Sequence, residues 1–127
     1  MIEVTSLNPD DTNNADNVIS IKPTGSIELD CAEELERTIN TALNSSCHRI
    51  IIDLSLVNNI GSCGWGVMLS KLKNVREHGG DLKIVGMHAE VYDFYKALEF
   101  FWVLRAYNTL EEAVDDFVKN IAPMPEC

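Results

Sequence analysis

Residues 50–68 read Ile-Ile-Ile-Asp-Leu-Ser-Leu-Val-Asn-Asn-Ile-Gly-Ser-Cys-Gly-Trp-Gly-Val-Met, and the rest of the chain is read outward from them. Three consecutive β-branched residues, Ile50 to Ile52, run into Asp53 and Leu54. A short apolar run bounded by polar residues is the pattern of a strand buried on both faces. Asn58 and Asn59 break the run, and Gly61, Ser62, Gly64 and Gly66 crowd into six positions. Trp65, Met68, Leu69, Leu72 and Val75 then recur at three- and four-residue steps, the spacing of one helical face. A buried strand therefore passes through a small-residue turn into an amphipathic helix, with Ser62 near the helix start. Such a turn offers unpaired backbone N–H groups and the positive end of a helix dipole. The candidate site is placed there.

On the N-terminal side, Ile2 and Val4 alternate with Glu3 and Thr5, an edge-strand pattern. Asn8 to Asn17 is polar, holds Pro9, and reads as a loop. Val18 to Lys22 gives a second strand, stopped by Pro23 and Gly25 and expected to pair with the first as a hairpin. Asp30 has the chemistry of a helix N-cap, with Glu33 at the capping-box position. Cys31, Leu35, Ile39, Ala42 and Leu43 then share one helical face, and Asn44-Ser45-Ser46 ends that helix.

On the C-terminal side, Gly79 and Gly80 stop the central helix, because glycine tolerates the left-handed conformation. Leu82, Ile84 and Val85 make the next strand. Val91, Phe94, Tyr95 and Leu98 mark one face of a third helix. Phe100 to Leu104 is apolar and aromatic, the pattern expected of a short last strand. Its three rings cannot all point inward, since strand side chains alternate. Thr109 caps a final helix, with Glu112 at the capping-box position and Leu110, Ala113, Val114, Phe117 and Val118 facing inward. The reading is one domain over residues 1–121 and a frayed tail over 122–127. Strands alternating with helices predict an α/β fold, a mixed sheet of about five strands with about four helices mainly on one face.

At 127 residues the chain is long enough to bury a core without disulfides. It has no apolar run of membrane-spanning length and no signal-peptide pattern at Met1-Ile2-Glu3. Cys31, Cys47, Cys63 and Cys127 are scattered, as are the three histidines, so the spacing points to reduced thiols in a cytosol and away from a metal site. The formal charge of −10 repels nucleic acid and anionic membranes, whose binding depends on Lys and Arg. The same excess also serves solubility, or steering toward a basic partner.

With these residues in place, the chain resembles the STAS domain family of sulfate transporters and bacterial anti-sigma factor antagonists. The family usually reads D-L-S-x-V-x-x-I-D-S-S/T-G-L-G-V here. Asp53, Leu54, Ser55, Val57, Ile60, Ser62, Gly64, Gly66 and Val67 match it. Gly61 stands where the family usually has Asp, Cys63 where it has Ser or Thr, and Trp65 where it has Leu. Residues 25–30, Gly-Ser-Ile-Glu-Leu-Asp, resemble the family's turn into its first helix, and residues 78–86 resemble its Gly-Gly strand entry. The likeness spans Val18 to Ala113.

The resemblance implies a STAS-like domain and a regulatory role without catalysis. It places Ser62 on the serine that antagonists expose for phosphorylation by an anti-sigma factor that is itself a serine kinase. Gly61, Cys63, Gly64 and Trp65 would join Ser62 in contacting that partner, and ATP with its magnesium would belong to the kinase, so no cofactor is expected here. A homodimer is left open. From the residues alone, Ser62 is equally an N-cap, Cys63 a small buried residue, Asp53 a turn-former, and Trp65 a core residue in register with Met68 and Leu72. Gly61-x-x-Gly64-x-Gly66 lacks the Gly-Lys-Ser/Thr ending of a phosphate loop. Other classes are a non-switching STAS scaffold or small-ligand module, and a small enzyme using Cys63 or Asp53, which no nearby histidine supports.

Overall fold

Ile50, Ile51 and Ile52 are all fully buried, and that requirement shapes the molecule. Successive strand residues face opposite sides. Ile50 and Ile52 enter the larger core, and Ile51 enters a second one. Burial of each side chain stabilises by roughly 1.5–3 kcal/mol.

The computed structural model describes residues 2–7 and 18–121. In chain order they form β1 (Ile2–Ser6), β2 (Val18–Pro23), β3 (Gly25–Ile27), α1 (Leu29–Asn44), β4 (Arg49–Asp53), β5 (Val57–Ile60), α2 (Ser62–Glu77), β6 (Asp81–Val85), α3 (Ala89–Ala97), a 3-10 turn (Phe100–Trp102), β7 (Ala106–Tyr107) and α4 (Leu110–Ile121). The main sheet has the order β1-β2-β4-β6-β7. β1 is antiparallel to β2, as the hairpin reading required, and the other pairs are parallel. This is the expected mixed five-stranded sheet with four helices. The expected loop at 8–17 and tail at 122–127 lie outside the described residues.

The helices divide between the two faces. Leu35 and Ile39 of α1, Met68, Leu72 and Val75 of α2, and Val91 and Tyr95 of α3 share the larger core with Ile50, Ile52, Leu82 and Ile84. On the other face Ala113 and Phe117 of α4 cover Val18, Ile51 and Val85.

Four local readings are corrected. A short parallel ribbon, β3 with β5, joins the chain before α1 to the chain before α2. Asn58 and Asn59 lie within β5 and are exposed, so the strand carries no apolar alternation to reveal it. Helix α1 starts at Leu29 with Glu28 in the N-cap position, ahead of the expected Asp30 cap, and Ala32 N–H bonds Glu28 O at 2.7 Å. Phe100–Trp102 is a 3-10 turn where a strand was expected. Glu99 adopts a left-handed backbone (φ 58), and Val103 and Leu104 N–H groups bond back to Phe100 O. The last strand is β7. Of the three rings, which could not all point inward, Phe101 and Trp102 are exposed.

The other helix boundaries follow their chemistry. Gly79 takes φ 84 just past α2. Thr109 Oγ1 accepts the Glu112 N–H at 3.2 Å, and Glu112 Oε1 accepts the Asn108 N–H at 3.1 Å, closing the foreseen capping arrangement one residue early.

One polar cluster ties α4 to the sheet. The Lys83 ammonium, 3% exposed, pairs with Asp81 at 3.0 Å and Asp116 at 3.1 Å and lies 4.6 Å from the Phe117 ring centre. Tyr107 donates its hydroxyl to Asp116. Burial pushes the Asp116 carboxyl up, but the Tyr107 and Lys83 hydrogen bonds and the positive charges of Lys83 and Arg105 outweigh it and hold it below the usual range. A depressed carboxylate contributes stability above its ordinary pKa of about 3.9 and loses it as pH falls through the folded value. Lys83→Ala removes the buried cation between two carboxylates that keep Arg76 and Arg105 as partners, and should cost about 2 kcal/mol in denaturant unfolding at pH 7. That difference from wild type should shrink below about pH 4.

Two glycines of α2 should respond oppositely to alanine. A Cβ at Gly64 would lie 2.7 Å from Ile27 Cγ2 and 2.8 Å from Ile60 Cγ2, both methyls of buried β-branched residues. A Cβ at Gly66 would meet nothing within 4 Å. Gly64→Ala should destabilise by about 1–3 kcal/mol through overpacking. Gly66→Ala should stabilise by about 1 kcal/mol through helix propensity. Thermal melting of both variants checks the sign.

Candidate functional site

The site is built where β4 gives up its polypeptide to β5 and α2. Asp53 Oδ1 accepts the Ser55 N–H at 2.9 Å, and Leu54 N–H bonds Val85 O at 2.8 Å. Asp53 therefore forms the turn, as one of its two readings held. His88 bonds Ser55 O at 2.6 Å through Nε2 and ties the α3 approach to the same turn.

β5 then runs beside β3, with Ile60 opposite Ile27 and Asn59 opposite Ser26. Ser26 Oγ donates to Asn58 Oδ1 at 3.1 Å, and Asn59 Nδ2 donates to Glu28 Oε2 at 3.4 Å. Gly61 N–H continues the ribbon to Ile27 O at 2.9 Å. The two asparagines are thus the polar struts of the ribbon.

Gly61 is the N-cap of α2, with an extended backbone and no side chain to cap with. Ser62 is the first helical residue and is exposed. The simpler account of Ser62, an N-cap serine, is therefore set aside. The first helical bond is Trp65 N–H to Gly61 O at 3.2 Å, so the N–H groups of Ser62, Cys63 and Gly64 have no intrahelical acceptor. No acidic residue stands in the first turn of α2. Ser62 thus presents its hydroxyl at an uncapped, locally positive helix end.

The other sequence-derived site residues divide by depth. Gly61 and Cys63 are half-buried, and Gly64 and Trp65 are buried. Trp65 is 3% exposed and packs against Phe100 and Phe94, with ring centres 4.9 and 6.5 Å away. Its core reading holds, and Gly64 and Trp65 support the rim from below. Beside them Asn58, Asn59, Ile60, Trp65, Glu90, Val91 and Phe94 line a notch of about 30 Å³. A larger depression of about 530 Å³ lies along the second half of α2, between Leu69, Leu72, Lys73, Arg76, Glu77 and Val103.

Sequence reasoning did not bring Glu28 and Glu90 to the asparagines of β5, Asn58 and Asn59, that lead into Ser62. Only the β3–β5 pairing and the α3 docking bring them there, and neither leaves a periodic signal. Among the described residues no group of three or more His, Cys, Asp or Glu forms a metal site. No helix among them is long and apolar enough to cross a membrane.

The profile of the STAS domain matches residues 11–113. A Thermotoga maritima protein, an anti-sigma factor antagonist by provisional name, is 24% identical over 102 residues, covering 80% of this chain and 90% of that one. An anti-sigma factor antagonist from Mycobacterium paratuberculosis superposes with a TM-score of 0.75 at 20% identity, over 93% of this chain and 95% of its own. The phosphorylated form of the Bacillus cell fate determinant SpoIIAA gives a TM-score of 0.67 at 15% identity, over 91% and 98%. The chain belongs to the STAS domain family, with relatives named as anti-sigma factor antagonists.

Proposed function

We propose that this chain is an anti-sigma factor antagonist of the bacterial cytosol, switched by phosphorylation of Ser62. Its unmodified form binds an anti-sigma factor that is also a serine kinase, and so frees a sigma factor for transcription. The observation that carries this reading is Ser62 itself, exposed as the first residue of α2 at an uncapped helix end. A phosphorylated relative with the same fold supports it.

The chemistry suits a reversible switch. The Ser62 Oγ–phosphorus bond forms as the bond between the γ-phosphorus of ATP and the bridging oxygen breaks. ADP leaves and the hydroxyl proton passes to solvent. The phosphoryl group adds about −1.5 to −2 charges. At the start of α2, the free N–H groups and helix dipole stabilise an anion. The fold therefore tolerates the new charge while the docking surface changes.

A second reading, a STAS scaffold that is never phosphorylated, is favoured by Gly61, which puts no carboxylate or acceptor beside Ser62. The two part on one experiment. Ser62→Asp should melt within about 3 °C of wild type, since its charge meets a favourable dipole, yet bind the cognate kinase at least tenfold more weakly by calorimetry. Ser62→Ala should bind as wild type does and take up no phosphate. Equal affinity of the Asp and Ala variants would leave the scaffold.

A further inference from the structure

Away from the Ser62 end, the molecule leaves an apolar surface in water. Leu98, Phe101, Trp102 and Val103 fall within six residues and all are exposed, Trp102 at 77%. Clustered exposed apolar residues of this size mark an interaction surface. The turn that carries them is held in place. Trp102 N–H bonds Glu99 O at 3.2 Å, Val103 N–H bonds Phe100 O at 3.0 Å, and Arg76 Nη2 donates to Val103 O at 2.8 Å. The Trp102 ring lies 5.5 Å from that of Phe101, which lies 6.3 Å from the buried Tyr95 ring. Val103 of the same turn lines the depression of about 530 Å³ together with Leu69 and Leu72. A fixed, protruding tryptophan and an apolar hollow therefore share one turn and the helix bonded to it.

Charge decides which partner fits. The chain carries −10, yet along this part of α2 the signs balance. Lys73 and Arg76 stand with Glu77 at the depression, and Arg76 pairs with Asp81 at 2.9 Å. A balanced surface gives no steering to a strongly basic or strongly acidic partner. Among the described residues Lys73 and Glu77 enter no ion pair. Four residues apart, they share one helical face. Laid antiparallel against a copy of itself, that face sets Lys73 of each chain opposite Glu77 of the other.

We propose that this surface is a two-fold interface between copies of the chain. Helix α2 packs antiparallel on α2 of the second copy, with the axis level with Val75. Trp102 of each copy fills the depression of the other, and Lys73 meets Glu77 across the axis twice. A knob and a hollow on one surface are what a self-complementary contact requires. Tryptophan is also the residue that most often anchors an interface. At 1.5 Å per helical residue the axis lies about 20 Å from Ser62, so both Ser62 ends stay open. The dimer does not depend on whether Ser62 is phosphorylated.

Sedimentation equilibrium over a concentration series tests this with the chain alone. Wild type should pass from monomer to dimer, and its tryptophan emission should shift to the blue as Trp102 leaves water. Trp65 is buried already, so Trp102→Phe should abolish the shift. Trp102→Ala should weaken association about thirtyfold, the factor for an anchor worth about 2 kcal/mol. Lys73→Glu and Glu77→Lys each oppose like charges twice across the axis, and each alone should weaken association about tenfold. Each replaces an exposed side chain, so all three should melt as the dilute wild type does. Mixed in equal amounts, the two charge variants should form a heterodimer as tight as wild type, since each supplies the partner that the other lacks. No effect confined to one chain predicts that rescue. Wild type that stays monomeric at millimolar concentration overturns the proposal and leaves the surface to a different protein. A dimer that Trp102→Ala does not weaken overturns this choice of surface, and a mixture that fails to recover overturns the two-fold pairing of α2.

Discussion

Three adjacent isoleucines that must all leave water determine the architecture. Ile50 and Ile52 point one way and Ile51 the other, so β4 is stable only if both its faces are covered. Parallel neighbours on each side and helical crossovers supply most of that cover, since a parallel connection needs a return path that a helix provides. The second face is smaller, and among the described residues α4 is the helix that covers it. There the ion cluster of Lys83, Asp81 and Asp116 holds the helix where apolar contact is limited. In open sheets of this type, ligands and partners meet the loops at the carboxyl ends of the strands. The turn after β4 and the start of α2 are such loops, and so the position of Ser62 follows from the burial of β4.

Depth separates what must stay still from what can change. Gly64 lets α2 press onto Ile27 and Ile60 more closely than any side chain would permit, and Trp65 is enclosed by aromatic rings one residue later. Two residues earlier Ser62 is in solvent. Within a single helical turn the chain passes from close-packed core to open surface. A chemical change at Ser62 therefore acts on the surface with little leverage on the core, whereas a change at Gly64 acts on the core first.

Much of this was legible in the sequence. The apolar run of β4, the helical spacing from Trp65 to Val75 and the glycine stop at Gly79 each record one dominant local force, and each element stands where expected. The start of α2 at Ser62 was legible for the same reason. The misreadings fall where no local pattern exists. β5 exposes both its central asparagines, and its partner β3 lies about 30 residues away. Phe100 to Leu104 has strand-like composition, but the chain turns back at Glu99 in a left-handed conformation, and Tyr95 donates its hydroxyl to Leu104 O at 2.6 Å. Tertiary contact overrode propensity there. At the site, Ser62 was visible through its motif, while the contact of Glu28 with Asn59 depended on a pairing that no periodicity announces.

The charge of the molecule constrains how a phosphate on Ser62 could act. The chain carries −10, and Glu28 and Glu90 border the asparagines beside the site. A partner that docks there gains from presenting cations. Adding two more negative charges would then strengthen long-range attraction, so release cannot come from weakened steering. It must arise at contact range, where the phosphoryl group meets something of its own sign. On the proposed reading that group is the nucleotide. Transfer leaves the phosphoserine facing the phosphates of ADP inside the kinase site, and at about 4 Å like charges repel by about 4 kcal/mol per pair at an effective dielectric of 20. The helix N-terminus stabilises the phosphoserine on its own side of the interface but does nothing for that repulsion across it. On that reading, stability of the modified protein and instability of its complex would have the same origin, an anion placed at a helix end that accepts it.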